Sequence, residues 1–281
     1  IFNTLQANLG SLYINDFKLD ETPTLGNRTD IQRLKELKPK ALIIDTLYAD
    51  VDKHTESELY AKEILEQTLL DMDLKGKLVV ATTFASHIAR LKEFVNLAKK
   101  LDRKIMFIGR SMGKYLEAAS DVGISKIIDK HEVVRYSSRA KKALEKAYNP
   151  EKYLFVVTGG MAEPGAVLSR VVNERLLPLE EDDVIVFSNR AIPVPSILEA
   201  REELERDLKQ QGFEILTDLH VSGHGAGKDH ELLLNEIKPE YVFPIHGEDH
   251  QRNAFEKIAL KTGMSKDNIW LLEDKEIFEF P

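Results

Sequence analysis

The sequence predicts an α/β protein built on parallel sheets. Short runs of apolar residues with high strand propensity alternate with helical patterns along nearly all of the chain, and this alternation is typical of βαβ units. The apolar runs are continuous, which indicates strands that are covered on both faces, as in parallel sheets. The predicted strands are Ser11–Asn15, Ala41–Asp45, Leu78–Thr82, Ile105–Ile108, Leu154–Thr158, Val184–Ser188, Glu214–Thr217, Tyr241–Pro244 and Ile269–Leu272.

The segments between these strands carry helix start and stop signals. Thr55 and Glu58 are spaced as a capping box and predict a helix that extends to about Met72. Ser196 is a candidate cap for a later helix, which should end near Gly212 because glycine readily adopts the left-handed conformation that terminates helices. An apolar stripe at helical spacing marks a further helix, and its members are Ile88, Leu91, Val95 and Ala98.

Composition narrows the class of protein. The 281 residues suffice for one large domain or two ordinary ones. No apolar run reaches the roughly eighteen residues that a membrane-spanning helix needs, so no membrane association is expected. Cysteine is absent, which excludes disulfides and cysteine-ligated zinc and leaves His, Asp and Glu as metal ligands. Together with a first segment that lacks the pattern of a signal peptide, this composition favours a cytoplasmic protein.

The charge balance bears on the partners of this chain. Affinity for a phosphate backbone comes mostly from Lys and Arg, so the net charge of −8 disfavours a general nucleic-acid coat protein. It remains compatible with a nuclease, because a metal ion can supply local positive charge and basic residues can cluster on one face.

Two histidine-bearing segments lie close together in the last quarter of the chain. His220 and His224 belong to HVSGHGAGKDH, and His246 belongs to PIHGE. The stretch between them predicts an amphipathic helix followed by a buried strand, which would bring both segments to one edge of a sheet. A glycine-containing turn such as the one at Gly223 lets backbone amides approach phosphate oxygens. This arrangement is typical of a metal and phosphate site.

Two aspartates also lie where predicted strands end. Asp16 follows the first predicted strand and Asp45 ends the second. Each could instead be a turn aspartate that caps its own loop, which would be the preferred interpretation for either one alone. Their occurrence together with His224 and His246 favours a shared site, because the carboxyl ends of parallel strands meet at one sheet edge.

These motifs resemble those of the β-CASP branch of the metallo-β-lactamase-fold nucleases, in particular the archaeal ribonuclease J family. Asp16 in NDFK resembles the aspartate that bridges two zinc ions, and His246 in PIHGE resembles the third β-CASP motif, which supplies a zinc ligand. Asp45, followed by Thr46, resembles the first motif, and His224 in SGH resembles the second. The resemblance implies that Asp16 and His246 bind metal, whereas Asp45 and His224 are catalytic and transfer protons.

The resemblance also implies where RNA would bind. The backbone of Val221–Gly223 and the Ser222 hydroxyl, with His220 beside them, resemble a pocket for a 5′ phosphate. Further β-CASP landmarks predict residues near the RNA path, and these are Ser86, Arg90, Arg110 and Ser111. A helix N-cap is the alternative for Ser86, and a solvated helix face is the alternative for Arg90. In TGGMAEP, Met161 and Ala162 replace the Gln-Gly pair of the family pattern.

One family motif is missing from this sequence. The HxHxDH loop, which holds most ligands of the first zinc, should precede Asp16, yet the eight histidines lie at positions 54, 87, 131, 220, 224, 230, 246 and 250. Asp16 and His246 cannot alone hold two zinc ions, because each ion needs several protein ligands. The sequence is therefore expected to be the C-terminal piece of a longer nuclease, half of a split enzyme with an N-terminal partner chain, or a degenerate RNA-binding paralogue.

The remaining histidines are predicted to be surface or capping residues, with His230 and His250 close enough in sequence to support the site. The resemblance assigns residues 1–51 and 216–281 to the C-terminal half of a metallo-β-lactamase αββα sandwich and residues 52–215 to an inserted β-CASP domain. An RNA-binding cleft is expected between the two domains. A homodimer or higher oligomer is also expected, with a strand over residues 277–280 available for pairing.

The implied activity of the complete protein is zinc-dependent hydrolysis of RNA phosphodiesters, as a 5′-to-3′ exonuclease that prefers 5′-monophosphorylated RNA, with or without endonuclease activity. This chain alone is expected to be catalytically incomplete, because it lacks the HxHxDH motif. A non-catalytic RNA-binding or scaffold protein is the main alternative. A metallo-hydrolase for small phosphoesters is a weaker one, because a small substrate does not need so large an inserted domain.

Overall fold

The computed structural model describes residues 10–128, 130–135, 149–174, 176–192, 194–273 and 275–277. The chain divides into two compact units, one formed by Ile1–Glu58 with Ser222–Pro281 and the other by Leu59–Val221. Residues 278–280 of the strand predicted to pair across a dimer lie outside the described residues. Within the described part of the chain, no helix combines the length and apolar character that are needed to cross a membrane.

Strands and helices alternate along both units. The strands are β1 (Ser11–Ile14), β2 (Ala41–Asp45), β3 (Val79–Thr82), β4 (Lys104–Ile108), β5 (Glu132–Val134), β6 (Tyr153–Val157), β7 (Val184–Phe187), β8 (Glu214–Leu216) and β9 (Tyr241–Ile245). The helices are α1 (Ile31–Leu37), α2 (Glu58–Asp71), α3 (Ile88–Lys100), α4 (Arg110–Asp121), α5 (Val167–Asn173), α6 (Pro195–Gln210), α7 (Gly227–Ile237) and α8 (Asp249–Lys261). Short 3₁₀ turns cover Pro150–Lys152 and Lys266–Asn268.

The unit that contains both chain ends has a three-stranded parallel sheet in the order β1-β2-β9. Ile14 pairs with Ile44, and Asp45 pairs with Ile245, so all three strands end at the same edge. Apolar residues of the sheet pack with Leu233 of α7 and Phe255 of α8 in one core cluster. This buried sheet supports the loops that follow its strands.

The other unit has a six-stranded parallel sheet in the order β5-β4-β6-β3-β7-β8. Successive residues of β3 point into different core clusters: Val79 and Ala81 belong to one, and Val80 belongs to the other. The sheet is thus covered on both faces. This confirms the prediction of parallel sheets from continuous apolar strands.

Strand prediction failed at two places. The predicted strand Ile269–Leu272 is reduced to a single bridge between Ile269 and Val242. The strand β5 was missed, because three residues that begin with an exposed glutamate give too short an apolar run to detect.

Helix starts were predicted less well than strands. Thr55 and Glu58 do not form a capping box: the Glu58 amide donates to the Asp20 carboxylate at 2.8 Å, and the Thr55 hydroxyl bonds elsewhere. Ser196 lies inside α6, whose N-cap is Val194, with proline in the first turn. Gly212 does adopt a positive φ of 87° just beyond α6, as predicted. The missed starts depend on tertiary hydrogen bonds or on proline, neither of which a capping-box pattern detects.

Ala162 occupies a backbone position that suits glycine. Its φ is +58°, a left-handed conformation that costs an L-residue other than glycine about 1 kcal/mol or more. Ala162→Gly should therefore raise the free energy of unfolding by about 1 kcal/mol, as measured by urea denaturation. Ala118→Gly in the interior of α4 is the matched control and should lower it by about the same amount, because glycine disfavours a helix. Loss of stability in both variants would contradict the strain at Ala162.

Candidate active site

Four side chains meet at the edge where β1, β2 and β9 end. Asp16, Asp45, His224 and His246 each offer one ligand atom, and these atoms all lie within 4.8 Å of one another. Asp16 follows β1, Asp45 is the last residue of β2, and His246 directly follows β9. His224 reaches the group from the loop before α7, which is held beside β2 by a parallel bridge between Tyr48 and Ala226. The structure thus brings together the four residues that the sequence singled out, and we call them the tetrad.

The shortest contact in the tetrad joins Asp45 and His224. Nδ1 of His224 lies 2.6 Å from Oδ2 of Asp45. Asp45 is 1% exposed, and its other oxygen accepts the Leu47 amide at 3.0 Å. A carboxylate only accepts hydrogen bonds, so Nδ1 carries the proton and Nε2 is left as the nitrogen that can exchange one.

Electrostatics favour the protonated form of His224. Burial of the ring lowers the pKa of His224, but the hydrogen bond and charge of Asp45, together with the charge of Asp16, outweigh burial and raise the pKa above its ordinary value. The ring is therefore suited to hold a proton that it later donates.

Asp16 and His246 form the second half of the tetrad and share an unusual backbone geometry. Nδ1 of His246 lies 3.1 Å from Oδ1 of Asp16 and 3.5 Å from Oδ1 of Asp45. The φ angles of Asp16 and His246 are +31° and +56°. Non-glycine residues in this region store strain, which concentrates at functional sites. Both residues that the family resemblance assigns to metal binding are therefore held in strained conformations.

Gly247 allows the loop after β9 to turn tightly beside β2. A Cβ atom at this position would lie 2.8 Å from Oγ1 of Thr46. That hydroxyl donates to the Ile245 carbonyl at 2.9 Å, so the glycine accommodates a bond that ties the end of β2 to the end of β9. The close approach explains why glycine follows His246.

His230 lies against the backbone of Asp45 and Ala226, and the prediction of a surface or capping role for it was wrong. It is 0% exposed, with Nδ1 2.8 Å from the Ala226 carbonyl and Nε2 2.7 Å from the Asp45 carbonyl. Phe17 and Phe255 pack edge-on against its ring. Burial lowers the pKa of His230, and a neutral ring can donate only one of these two bonds. The ring thus fills the space between the loop of His224 and the end of β2.

The sequence did contain a signal for this burial. His230 precedes Leu233, Leu234 and Ile237 at the spacing of one helix face, and all three are buried. Extending the apolar stripe of α7 back by one turn would have placed His230 on the inner face.

Asp229 is a second supporting residue that the sequence analysis did not identify. Its carboxylate is 1% exposed and lies within hydrogen-bonding distance of Nδ1 of His54 at 2.7 Å and of the amides of Thr55 and Ala226 at 2.9 and 3.0 Å. The bond to Ala226 is the local one between an N3 acid and the N-cap amide of a helix. No local pattern predicts the bonds to His54 and Thr55, because these partners lie far away in the sequence.

The donor set of the tetrad suits a transition-metal ion. Carboxylate oxygens and imidazole nitrogens are the ligands that zinc takes in proteins that lack cysteine. All four ligand atoms lie within 4.8 Å of one another, so this group contains residues that could hold an ion. Among the described residues, no other group of three or more His, Asp or Glu converges in this way. The chain therefore offers a single metal-binding cluster over its described part.

The residues predicted to form a 5′-phosphate pocket are divided between the two units. His220 and Val221 belong to the unit Leu59–Val221, and Ser222 begins the other segment. The Ser222 hydroxyl accepts the His224 amide at 3.0 Å and is 3.2 Å from the His224 carbonyl, so it bonds within its own loop. Gly223 has open space on the side where a Cβ would lie. Phosphate binding by these four residues stays a prediction.

Arg90 is buried, so the alternative of a solvated helix face was wrong, and its place near the RNA path stays a prediction. It is 0% exposed, and its guanidinium donates to the Ser188 hydroxyl and to the Leu219 carbonyl at 3.1 Å. These bonds connect α3 to the segments after β7 and β8. The guanidinium is buried, and Arg90 is therefore part of the core. The helical pattern of the sequence does not reveal that a charged group is buried.

The other residues predicted near the RNA path are exposed. Ser86 lies in the turn before α3, whose N-cap is His87 rather than Ser86. Arg110 and Ser111 begin α4 and line a cavity of about 360 Å³. Arg135 and Arg170 line it as well, and none of its described lining residues is acidic. We call it the arginine cavity. Two of its three arginines form ion pairs, Arg135 with Glu117 and Arg170 with Glu174, each at 3.1 Å.

Comparison of the sequence with known proteins identifies two domains and several relatives. A family model described as the ribonuclease J β-CASP domain matches residues 75–198, and one described as a Zn-dependent metallo-hydrolase RNA specificity domain matches residues 214–269. Ribonuclease J of Pyrococcus abyssi is 36% identical over 275 residues, which cover 96% of this chain and 61% of the relative. Ribonuclease J of Methanocaldococcus jannaschii is 33% identical over 288 residues, which cover 100% and 64%.

A bacterial relative is more distant. Ribonuclease J2 of Bacillus subtilis is 29% identical over 287 residues, which cover 99% of this chain and 49% of the relative. The chain thus spans between about half and two thirds of the length of these three relatives. The two domain matches and the similarity along nearly the whole chain show that this protein belongs to the ribonuclease J family, with the α/β architecture of a metallo-β-lactamase-fold nuclease.

Proposed function

We propose that this chain forms part of a metal-dependent ribonuclease that hydrolyses RNA phosphodiesters at the tetrad. The observation that carries the proposal is the 2.6 Å contact between His224 and the buried Asp45, directly beside Asp16 and His246. A proton-transfer pair next to a cluster of metal-binding groups is the arrangement that phosphodiester hydrolysis requires.

Asp16 and His246 would hold the metal in this proposal. A bound divalent ion would neutralise negative charge that develops on the reacting phosphate and would make water more acidic. We propose zinc, because carboxylate and imidazole groups are its usual ligands here and because the matched RNA specificity domain is described as Zn-dependent. A second zinc ion would require ligands beyond the four of the tetrad.

Asp45 and His224 would move the proton. Attack of water on phosphorus, with release of its proton to solvent, and cleavage of the bond to the 3′ oxygen would leave a 5′ phosphate on one product and a 3′ hydroxyl on the other. His224, oriented through Nδ1 by Asp45, would donate its Nε2 proton to the departing 3′ oxygen. The raised pKa of His224 suits this role as a general acid.

RNA is the proposed substrate, and positive charge away from the tetrad supports this proposal. The arginine cavity offers Arg110 together with the Ser111 hydroxyl, beside two arginines that form ion pairs with glutamates. Arginine pairs well with phosphate oxygens. We further propose that residues 220–223 receive a 5′ monophosphate, which would favour 5′-to-3′ degradation of monophosphorylated RNA.

Metal content tests the proposal directly. After dialysis against a zinc-containing buffer, the purified protein should retain at least one zinc ion per chain, as counted by elemental mass spectrometry. A chelator should remove the ion from this chain and should abolish hydrolysis of 5′-labelled RNA by the complete nuclease, and added zinc should restore both. Absence of stoichiometric zinc, combined with RNA affinity that survives chelation, would instead support a non-catalytic RNA-binding protein.

A further inference from the structure

The peptide groups on both sides of His224 are held by side chains. Its amide donates to the Ser222 hydroxyl at 3.0 Å, and its carbonyl accepts the Thr55 hydroxyl at 2.8 Å. Because the backbone at His224 is held on both sides, only the side-chain torsion angles of His224 remain free to move its ring relative to Oδ2 of Asp45. The backbone that carries this ring is therefore held by Ser222 and by Thr55, and Thr55 lies outside the tetrad.

Asp229 in turn fixes Thr55. One carboxylate oxygen, Oδ2, accepts the amides of both Thr55 and Ala226, at 2.9 and 3.0 Å. Ala226 lies at the end of the loop that carries His224, so this one oxygen joins the turn around Thr55 to that loop. Because Asp229 is 1% exposed, little water competes for these bonds. Thr55 and Asp229 thus form a buried connection to the backbone of His224.

We propose that Thr55 and Asp229 are positioning residues for the Asp45–His224 pair. Neither one belongs to the metal-binding cluster, and both act through the main chain of residues 224–226. Proton transfer is sensitive to small changes in geometry, so a hydroxyl that fixes the His224 peptide should affect turnover more than substrate binding. The catalytic part of this proposal rests on the proposed nuclease function, whereas the orientation of His224 does not.

The experiment compares replacements that remove or keep the hydroxyl of Thr55. Thr55→Val removes the hydroxyl at nearly constant volume, and Thr55→Ser keeps it. Thr262→Val is the matched control: the Thr262 hydroxyl also bonds a main-chain carbonyl at 2.8 Å, but it lies at the far end of α8 from the tetrad. Thr55→Ala is a second removal variant, in case the valine methyl group disturbs folding.

Two readouts separate positioning from general stability. The first is the ¹⁵N spectrum of the His224 ring in the metal-free protein, taken at a pH above the pKa of His224 so that the ring is neutral. It should show one tautomer with Nδ1 protonated in the wild type and in Thr55→Ser. In Thr55→Val, the two nitrogen signals should move toward each other as the tautomers exchange. The second is hydrolysis of 5′-labelled RNA by the zinc-loaded protein, in which kcat should fall about tenfold at unchanged KM, the effect of one lost hydrogen bond.

The outcomes are distinguishable. Changed ring signals and lower kcat in Thr55→Val, with both restored in Thr55→Ser and retained in Thr262→Val, would support the proposal. Wild-type ring signals in both Thr55→Val and Thr55→Ala would overturn it, whatever the activity. Equal losses of kcat in Thr55→Val and Thr262→Val would also overturn it, because they would reflect stability alone. If the complete wild-type nuclease cleaves no RNA, the proposed function fails, while the ring signals still decide the positioning role.

Discussion

Replacement of His246 by alanine should reduce RNA hydrolysis by roughly a thousandfold and strongly weaken zinc binding. The imidazole of His246 is one of the four ligand groups that converge in the tetrad. A bound metal contributes several kcal/mol to stabilising charge in the transition state, and each 1.4 kcal/mol corresponds to about a tenfold change in rate. Zinc per chain from elemental mass spectrometry and initial rates on 5′-labelled RNA are the measurements.

Two further variants make the His246 result specific. His131→Ala removes a histidine of the other unit, outside the tetrad, and should change neither zinc content nor rate. His246→Asn keeps a residue that tolerates the positive φ of this position while removing the imidazole. Losses in both His246 variants would assign the effect to the ligand rather than to the backbone. Full activity and full zinc content in His246→Ala would refute the proposed role of the tetrad.

Asp45→Asn should lower kcat by about two to four orders of magnitude, the range that general acid–base catalysis contributes. The amide has nearly the same size as the carboxylate, but it carries no charge to orient and stabilise a protonated His224. The pKa of His224 should fall, because burial lowers it and the opposing hydrogen bond and charge of Asp45 would be lost. An NMR titration of the His224 ring in the metal-free protein measures this change.

The pH dependence of the rate provides a second measure of the same substitution. A general acid works only while it holds its proton, so the rate should fall as pH rises through the pKa of His224. In Asp45→Asn this fall should begin at lower pH than in the wild type. Asp50→Asn, at an exposed aspartate of the same unit, is the control and should leave the profile unchanged. An unshifted profile in Asp45→Asn would contradict the assignment of His224 as the acid.

The sequence by itself determined the class of fold and the members of the tetrad. Continuous apolar runs predicted parallel strands, and eight of the nine predicted strands are present with small changes at their ends. Asp16, Asp45 and His246 could be placed together because the carboxyl ends of parallel strands meet at one edge. This inference needs only local patterns and one general rule about sheets.

The tertiary structure alone decided which polar groups support the tetrad. Thr55 fits a capping box in the sequence, yet its hydroxyl bonds the carbonyl of His224. Arg90 fits a solvated helix face, yet it is buried and bonded to Leu219. Asp229 has the local signature of an acid in the first turn of a helix, yet it also bonds the distant amide of Thr55. Hydrophobic periodicity in a sequence indicates which face of a helix or strand is buried. A buried polar group, in contrast, forms its hydrogen bond with whichever partner the fold brings within about 3 Å. That partner can lie anywhere in the chain.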